Sequence, residues 1–264
     1  MATRLKATIY GQTDVGLARE HNEDSILCDA ELGLALLADG MGGHNAGEVA
    51  SALAVDHIRN LLRERILGPD RDDNAPIDAL VNDAVEHANT EIFTQSVEQV
   101  DCHGMGTTLA MAILNEGILT LAHVGDSRIY LLRDNTLDQV TSDHSLVQEL
   151  VDNGYLSQEE ARMSVSKNLI TRALGIGEEV DVEVRDMEPR VDDLYLLCSD
   201  GLSDLVSEQE IHEILMENRQ DLQEIARQLI SRANEKGGTD NISVILMELN
   251  EAFSDDNGLT DSVG

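Results

Sequence analysis

The chain has 264 residues, of which 51 are acidic and 18 are basic, so its formal net charge is −33. A field of this sign repels nucleic-acid phosphates and anionic membrane surfaces, and it argues against both as partners. Hydrophobic residues make up 42% of the chain, enough for a sizeable core, and no apolar run approaches the ~20 residues that cross a bilayer.

The chain is expected to form one domain in a reducing compartment. Its N-terminal residues lack the apolar core of a secretory signal. Cys28, Cys102 and Cys198 lie far apart and are odd in number, which indicates reduced thiols in a cytoplasmic protein. No Pro- or Gly/Ser-rich linker interrupts residues 1–250, which we interpret as a single domain. The acidic residues 251–264 lack apolar periodicity and are predicted to be a disordered tail.

The first part of the chain reads as two strands followed by two long helices. In chain order, the predicted elements are strands at Lys6–Thr13 and Leu32–Ala38 and helices at Glu48–Leu67 and from Ile77 through Ala88. The strands show alternation or a short apolar run before a turn, whereas the helices carry apolar residues three and four apart. A polar turn at 70–76 separates the two helices.

The central part reads as a run of strands. Thr107–Leu114, Ile118–Val124 and Arg128–Arg133 are apolar and are separated by short turns, which predicts an antiparallel meander. Residues Asp143–Gly177 are polar and weakly periodic. They include short helical pieces at Ser145–Asp152 and Gln158–Met163.

The last part contains two strands, two helices and a final strand. These elements are predicted at Val180–Met187, Asp193–Cys198, Glu208–Glu217, Leu222–Asn234 and Ile242–Leu249. Strands and helices come in blocks rather than in strict alternation. The pattern therefore favours an α+β fold with antiparallel sheets over a doubly wound parallel sheet.

Four aspartates lie at the ends of strongly apolar strands. Asp39, Asp126 and Asp200 follow such strands, and Asp240 precedes the last one. Asp-Gly pairs are also ordinary turn chemistry. If the four carboxylates converge, however, they repel one another and need cations. Oxygen-only ligands select Mg²⁺ or Mn²⁺, and the histidines show no spacing typical of zinc sites.

Several common catalytic motifs are missing. The sequence has no G-x-x-x-x-G-K-[ST] loop, no G-x-S-x-G elbow and no complete G-x-G-x-x-G. These absences argue against a P-loop NTPase, a serine esterase and a kinase. A pair of metal ions held by carboxylates can instead activate water and neutralise a phosphoryl group.

Seven motifs in a fixed order resemble one known family. They are REHNED (Arg19–Asp24), ADGMGGHNAGEVAS (Ala38–Ser51), GMGTT (Gly104–Thr108), HVGDSRIY (His123–Tyr130), TSDHS (Thr141–Ser145), CSDGLSD (Cys198–Asp204) and GGTDNISVI (Gly237–Ile245). Together they span nearly the whole chain. The sequence resembles the metal-dependent protein phosphatases of type 2C in their compact bacterial form.

The resemblance implies a fold and a core ligand set. The expected fold is a four-layer sandwich of two antiparallel β-sheets flanked by helices, with a binuclear Mn²⁺ or Mg²⁺ centre at one edge. By position, Asp39 matches the carboxylate that bridges both ions, and Gly40 matches a backbone carbonyl ligand. Asp200 and Asp240 match the remaining direct ligands.

Further roles follow from the same resemblance. Asp126 matches a ligand of a weaker third ion, and Glu23 and Asp24 match positions that hold metal-bound water. Arg19 matches the phosphate-binding arginine, and His44 matches the general acid. Asn241 matches a neighbour of the last ligand that helps to order the site.

The implied activity is hydrolysis of phosphoserine and phosphothreonine in proteins. Water activated by two ions attacks phosphorus directly, without a phospho-enzyme. We expect a monomer that opposes a Ser/Thr kinase. Two alternatives remain: a phosphoprotein-binding scaffold without turnover, and a phosphatase for a small ester or for an anti-sigma-factor antagonist. The residues between Thr141 and Val180 correspond to a flap beside the site.

Overall fold

The computed structural model of the chain describes residues 5–43, 46–69, 71, 75–157, 160 and 169–252. The strands are β1 (Leu5–Asp14), β2 (Asp24–Asp29), β3 (Leu34–Met41), β4 (Gly106–Thr107), β5 (Leu109–Asn115), β6 (Ile118–Val124), β7 (Arg128–Arg133), β8 (Thr136–Gln139), β9 (Glu183–Met187), β10 (Leu194–Cys198) and β11 (Ile242–Glu251). They form two antiparallel sheets. One has the order β1–β11–β10–β7–β8, and the other has the order β2–β3–β5–β6–β9, with the short β4 beside β3.

Helices cover both outer faces of the two sheets. They are α1 (Ala46–Leu67), α2 (Ile77–Glu98), α3 (Leu146–Asp152), the one-turn α4 (Asp200–Ser203), α5 (Glu208–Glu217) and α6 (Leu222–Glu235). The long pair α1 and α2 packs on the sheet that contains β3, and α5 and α6 pack on the sheet that contains β11. None of the helices in the described ranges combines the length and apolarity needed to cross a membrane.

The alternation of side chains along β3 shows why the molecule has four layers. Leu34, Leu36 and Ala38 pack toward α1 and α2, whereas Ala35 and Leu37 pack toward the opposite sheet. Successive side chains of a strand point to opposite faces, so a strand covered on both sides is apolar throughout. The α+β sandwich predicted from the sequence is confirmed.

The predicted meander is wrong in one respect. β5 and β6 form the predicted hairpin, but β7 pairs with β10 in the other sheet. The turn Gly125–Ser127 therefore carries the chain from one sheet to the other. All three strands are apolar on both faces, and such strands do not encode in which sheet they pair. Sequence analysis also missed β2, β4 and β8.

Two predicted features lie wholly or mostly outside the described residues. They are the helical piece Gln158–Met163 and most of the tail 251–264. β11 continues to Glu251, the first residue of that tail.

Candidate metal centre

Each sheet brings two aspartates to one edge of the sandwich. Asp39 lies in β3, and Asp24 stands opposite it in the register of β2. Asp200 begins α4 directly beyond β10, and Asp240 lies two residues before β11. β10 and β11 are paired neighbours, as are β2 and β3. A hydrogen bond of 3.0 Å from Ser199 Oγ to Asp24 Oδ2 joins the two pairs.

The carboxylates are buried together and repel one another. Burial, followed by the charges of Asp24, Asp200, Asp126 and Asp240, holds the pKa of Asp39 well above its usual range. Burial and the charges of Asp126 and Asp240 raise the pKa of Asp200 to about 8. Burial also raises the pKa of Asp24 and of Asp126 to about 6. Bound cations would reduce the repulsion among these four carboxylates and lower their pKa values.

A second buried aspartate on β2, Asp29, has hydrogen-bond and ion-pair partners that Oδ1 of Asp24 lacks within the described part of the chain. Asp29 and Asp24 are each 8% exposed. Burial alone would raise the pKa of Asp29, but bonds from the Leu32 N–H and from Arg59 outweigh it and lower that pKa. Asp24 Oδ1, in contrast, is buried without a hydrogen-bond partner among the described residues. The unpaired oxygen of Asp24 and the mutual repulsion of the carboxylates fit hard divalent cations such as Mg²⁺ or Mn²⁺.

Arg19 is the basic residue at this cluster. Its Nη2 donates to Asp240 Oδ2 at 2.7 Å, and 47% of its side chain is exposed. Its ion-pair partner is therefore a member of the aspartate cluster. Burial raises the pKa of Glu23, and the charge of Arg19 opposes that shift. An exposed guanidinium beside the carboxylates is placed to meet an anionic group.

Hydroxyl groups hold the backbone of Asp39. Thr108 Oγ1 accepts from the Asp39 N–H at 3.0 Å, and Thr107 Oγ1 donates to the Asp39 carbonyl at 2.9 Å. Thr108 Oγ1 also bonds Ser127 Oγ at 2.7 Å. Thr107 and Thr108 therefore support the site through their hydroxyl groups. Ser127 and Ser199 were missed as supports, although both lie inside motifs that the sequence singled out.

The loop that carries Glu23 is tied to the start of β11. Asn241 Oδ1 accepts from the Glu23 N–H at 2.8 Å, and its amide group donates to the carbonyls of Val15 and His21. Gly40 lies against the same loop and α1. A Cβ atom added there would stand 2.1 Å from the Gly47 carbonyl oxygen. Only glycine permits that backbone approach.

His44, the expected general acid, lies outside the described residues. The histidines show no zinc-type spacing in the sequence, but the fold brings two of them together with a glutamate. One nitrogen each of His123 and His144 and one oxygen of Glu183 lie within 4.8 Å of one another. These residues are distant in sequence, so only the pairing of β6 with β9 and the loop before α3 bring them together.

The electrostatic strain predicts how the metal-free protein responds to pH. We expect its thermal stability to fall as pH rises from about 5 to 8. The folded pKa of Asp200 is about 8, against about 4 in an unfolded chain, so the folded state binds more protons in that window. Thermal unfolding in EDTA measures the slope. Mn²⁺ and the Asp200→Asn substitution should each reduce the slope of thermal stability against pH. A flat profile of the wild-type protein in EDTA would contradict the clustering of the aspartates.

Comparisons with known proteins agree with this geometry. The family profile described as Protein phosphatase 2C matches residues 18–247. The serine/threonine phosphatase stp of Listeria welshimeri is 40% identical over 242 residues, covering 90% of this chain and 94% of that protein. The crystal structure of the Mycobacterium tuberculosis serine/threonine phosphatase PstP/Ppp superposes with a TM-score of 0.84 at 41% identity. It covers 93% of this chain and 100% of that chain.

A second solved structure of a relative contains metal ions. The catalytic domain of PstP, solved in complex with two manganese ions, matches with a TM-score of 0.80 at 40% identity, covering 94% of this chain and 100% of that one. The fold, the profile and these relatives define the class. The chain belongs to the protein phosphatase 2C family.

Proposed function

We propose that this protein is a metal-dependent serine/threonine phosphoprotein phosphatase that acts in the cytoplasm as a monomer and opposes a Ser/Thr kinase. One observation carries the proposal: buried aspartates from both sheets converge, with raised pKa values and one unpartnered oxygen, beside an exposed arginine. The relatives named as serine/threonine phosphatases support the substrate class. The two manganese ions bound by PstP support the choice of ion.

The core pair of ions would be held by four residues. Asp39 lies at the centre of the repulsion and would bridge both ions, while Asp200 and Asp240 would each supply a carboxylate. The Gly40 carbonyl would complete the set. When bound, two such cations supply a water of lowered pKa as nucleophile and neutralise the phosphoryl oxygens.

Three further acidic residues would complete the centre. Asp126, whose charge acts on both Asp39 and Asp200, would hold a weaker third ion together with Asp200. Glu23 and Asp24 would act through bound water, since each has a raised pKa beside the core set.

The chain itself would orient the phosphate and supply a proton. The Arg19 guanidinium, now bonded to Asp240, offers N–H groups to phosphoryl oxygens. His44 would protonate the departing serine or threonine oxygen, a role suited to a group that titrates near neutrality.

The cysteine next to the metal centre, Cys198, does not compete for the role of nucleophile. Burial raises the pKa of the Cys198 thiol to about 12, so this thiol stays protonated near neutral pH. A thiolate is the reactive form of cysteine. Cys198 is therefore unsuited to act as a nucleophile, which agrees with the proposed direct hydrolysis by water.

Metal removal tests the proposal. The purified protein should hydrolyse p-nitrophenyl phosphate and phosphothreonine peptides with Mn²⁺ or Mg²⁺, and EDTA should stop both reactions. Phosphate release is the measurement. Full activity in chelator, or activation by Zn²⁺ alone, would show that the hard-metal assignment is wrong.

The same assay separates the enzyme from a silent scaffold. A phosphoprotein-binding module would retain phosphopeptides with Mn²⁺ present but release no phosphate. Parallel measurement of peptide binding and phosphate release distinguishes the two roles.

A further inference from the structure

Two histidines form hydrogen bonds with the backbone of the turn that carries Asp126. The His144 backbone N–H donates to the Gly125 carbonyl at 2.7 Å, and its ring Nδ1 accepts from the Gly125 N–H at 3.1 Å. On the other side of Asp126, His123 Nε2 bonds the Ser127 carbonyl at 2.8 Å. The two ring centroids are 4.8 Å apart. The backbone on both sides of Asp126 is therefore fixed by imidazole rings.

The hydrogen bonds set the tautomer of each ring. A carbonyl can only accept, so His123 must carry a proton on Nε2. A backbone N–H can only donate, so His144 must leave Nδ1 unprotonated and carry its proton on Nε2. Burial, followed by the charge of His123, lowers the pKa of His144 to about 4, which keeps this ring neutral near pH 7.

The same tautomers argue against a metal ion bound by this cluster. His144 Nε2 lies 3.8 Å from Glu183 Oε2, and His123 Nδ1 lies 4.0 Å from the same oxygen. A metal ion would need the lone pair of His144 Nε2, but that nitrogen holds the proton as long as Nδ1 accepts from Gly125. The 2% exposure of His123 also leaves its ring enclosed by protein. Support of the turn is the role that fits both rings.

Thr108 links the turn Gly125–Ser127 to the backbone of Asp39. Gly125 has a φ of +106°, and a Cβ atom there would stand 2.7 Å from Thr108 Cγ2. Thr108 bonds both the Asp39 N–H and Ser127 Oγ. Displacement of the turn would therefore act on Asp126 and on the backbone of Asp39.

We propose that His123 and His144 are positioning residues that hold the Asp126 carboxylate toward the aspartate cluster and thereby set the affinity of the weakest ion. This inference rests on the proposed function, because it assigns the third ion to Asp126. Neither histidine belongs to the ligand set proposed for the core ions, and each acts on Asp126 through the backbone of its neighbours. Loss of either grip should raise the Mn²⁺ concentration for half-maximal activity by roughly tenfold to a hundredfold, as for other supports of metal ligands.

A crossed set of substitutions tests the proposal, because asparagine and glutamine reproduce different nitrogens of the imidazole ring. His144→Asn keeps an acceptor where Nδ1 stands, whereas His144→Gln does not. His123→Gln keeps a donor where Nε2 stands, whereas His123→Asn does not. We expect His144→Asn and His123→Gln to stay within about threefold of the wild-type Mn²⁺ requirement. Their partners, His144→Gln and His123→Asn, should show the full shift.

The measurements are Mn²⁺ titrations of phosphopeptide hydrolysis, calorimetric counts of bound Mn²⁺ and thermal unfolding of each variant. The opposite preference of the two positions supports the proposal, because a general packing role would favour the same residue at both. Equal shifts in the Mn²⁺ requirement for both substitutions at either position would overturn it.

A Zn²⁺ ion bound by wild type but by neither His144→Asn nor His123→Gln would also overturn it. A metal role needs His144 Nε2 and His123 Nδ1, and these two substitutions leave no nitrogen ligand at those positions. If the wild-type protein showed no Mn²⁺-dependent turnover, the proposed function would be refuted instead. The number of Mn²⁺ ions that each variant binds in calorimetry would still decide the role of the histidines.

Discussion

Replacing Asp39 by asparagine is expected to lower kcat/KM for a phosphothreonine peptide by more than about a hundredfold, since loss of even an outer support of a metal ligand costs 10- to 100-fold. The bonds from Thr107 and Thr108 go to the backbone of Asp39, so the substitution leaves them in place. It also removes one charge from a repelling cluster. The metal-free variant should therefore be at least as stable as wild type. Steady-state kinetics and thermal unfolding are the measurements.

Asp29 offers a matched control on the same pair of strands. It is buried like Asp24 but is paired with Arg59 and Arg63 at the far end of β2. Asp29→Asn should lower thermal stability, since it removes the charge that pairs a buried carboxylate with two half-exposed arginines. It should leave kcat per folded molecule near wild type. If Asp39→Asn kept wild-type turnover in a folded protein, the carboxylate cluster would not be the catalytic centre.

The layers of the fold could be predicted because each face leaves a local pattern. Apolar residues at helical spacing defined α1 and α2, and the run LGLALLA around Leu36 defined a strand buried on both faces. β2 was missed, because Asp24–Asp29 begins and ends in aspartate and its apolar stretch is short. The composition of such a segment resembles a loop until its partner β3 is known.

The aspartates of the site could be identified, but not their pairing. Asp24 stands opposite Asp39, and Arg19 bonds Asp240 at a separation of 221 residues. Such contacts depend on the sheet order, which hydrophobic periodicity does not encode. The same limit applies to the turn at Asp126. The sequence predicted a hairpin end there, whereas the structure shows a crossing between sheets, gripped by His123 and His144.

Asp126→Ala is expected to separate the third ion from the core pair. The core would rest on Asp39, Asp200 and Asp240, so the variant should still bind two Mn²⁺ ions in calorimetry. Its kcat on a phosphopeptide should nonetheless fall by about tenfold or more if Asp126 holds a third ion. Asp138→Ala, which removes an equal charge from the exposed strand β8, is the control and should bind and turn over like wild type.

The stability of the same variant distinguishes a ligand from a turn former. Burial raises the pKa of Asp126 to about 6, so its charge opposes folding near neutral pH. Removing that carboxylate should leave metal-free stability unchanged or higher at pH 7.5. A residue that only forms the turn would instead cost about 1 kcal/mol or less and leave turnover near normal. Wild-type kcat at saturating Mn²⁺ in the folded Asp126→Ala protein would refute the third ion, while the phosphatase assignment would stand on Asp39.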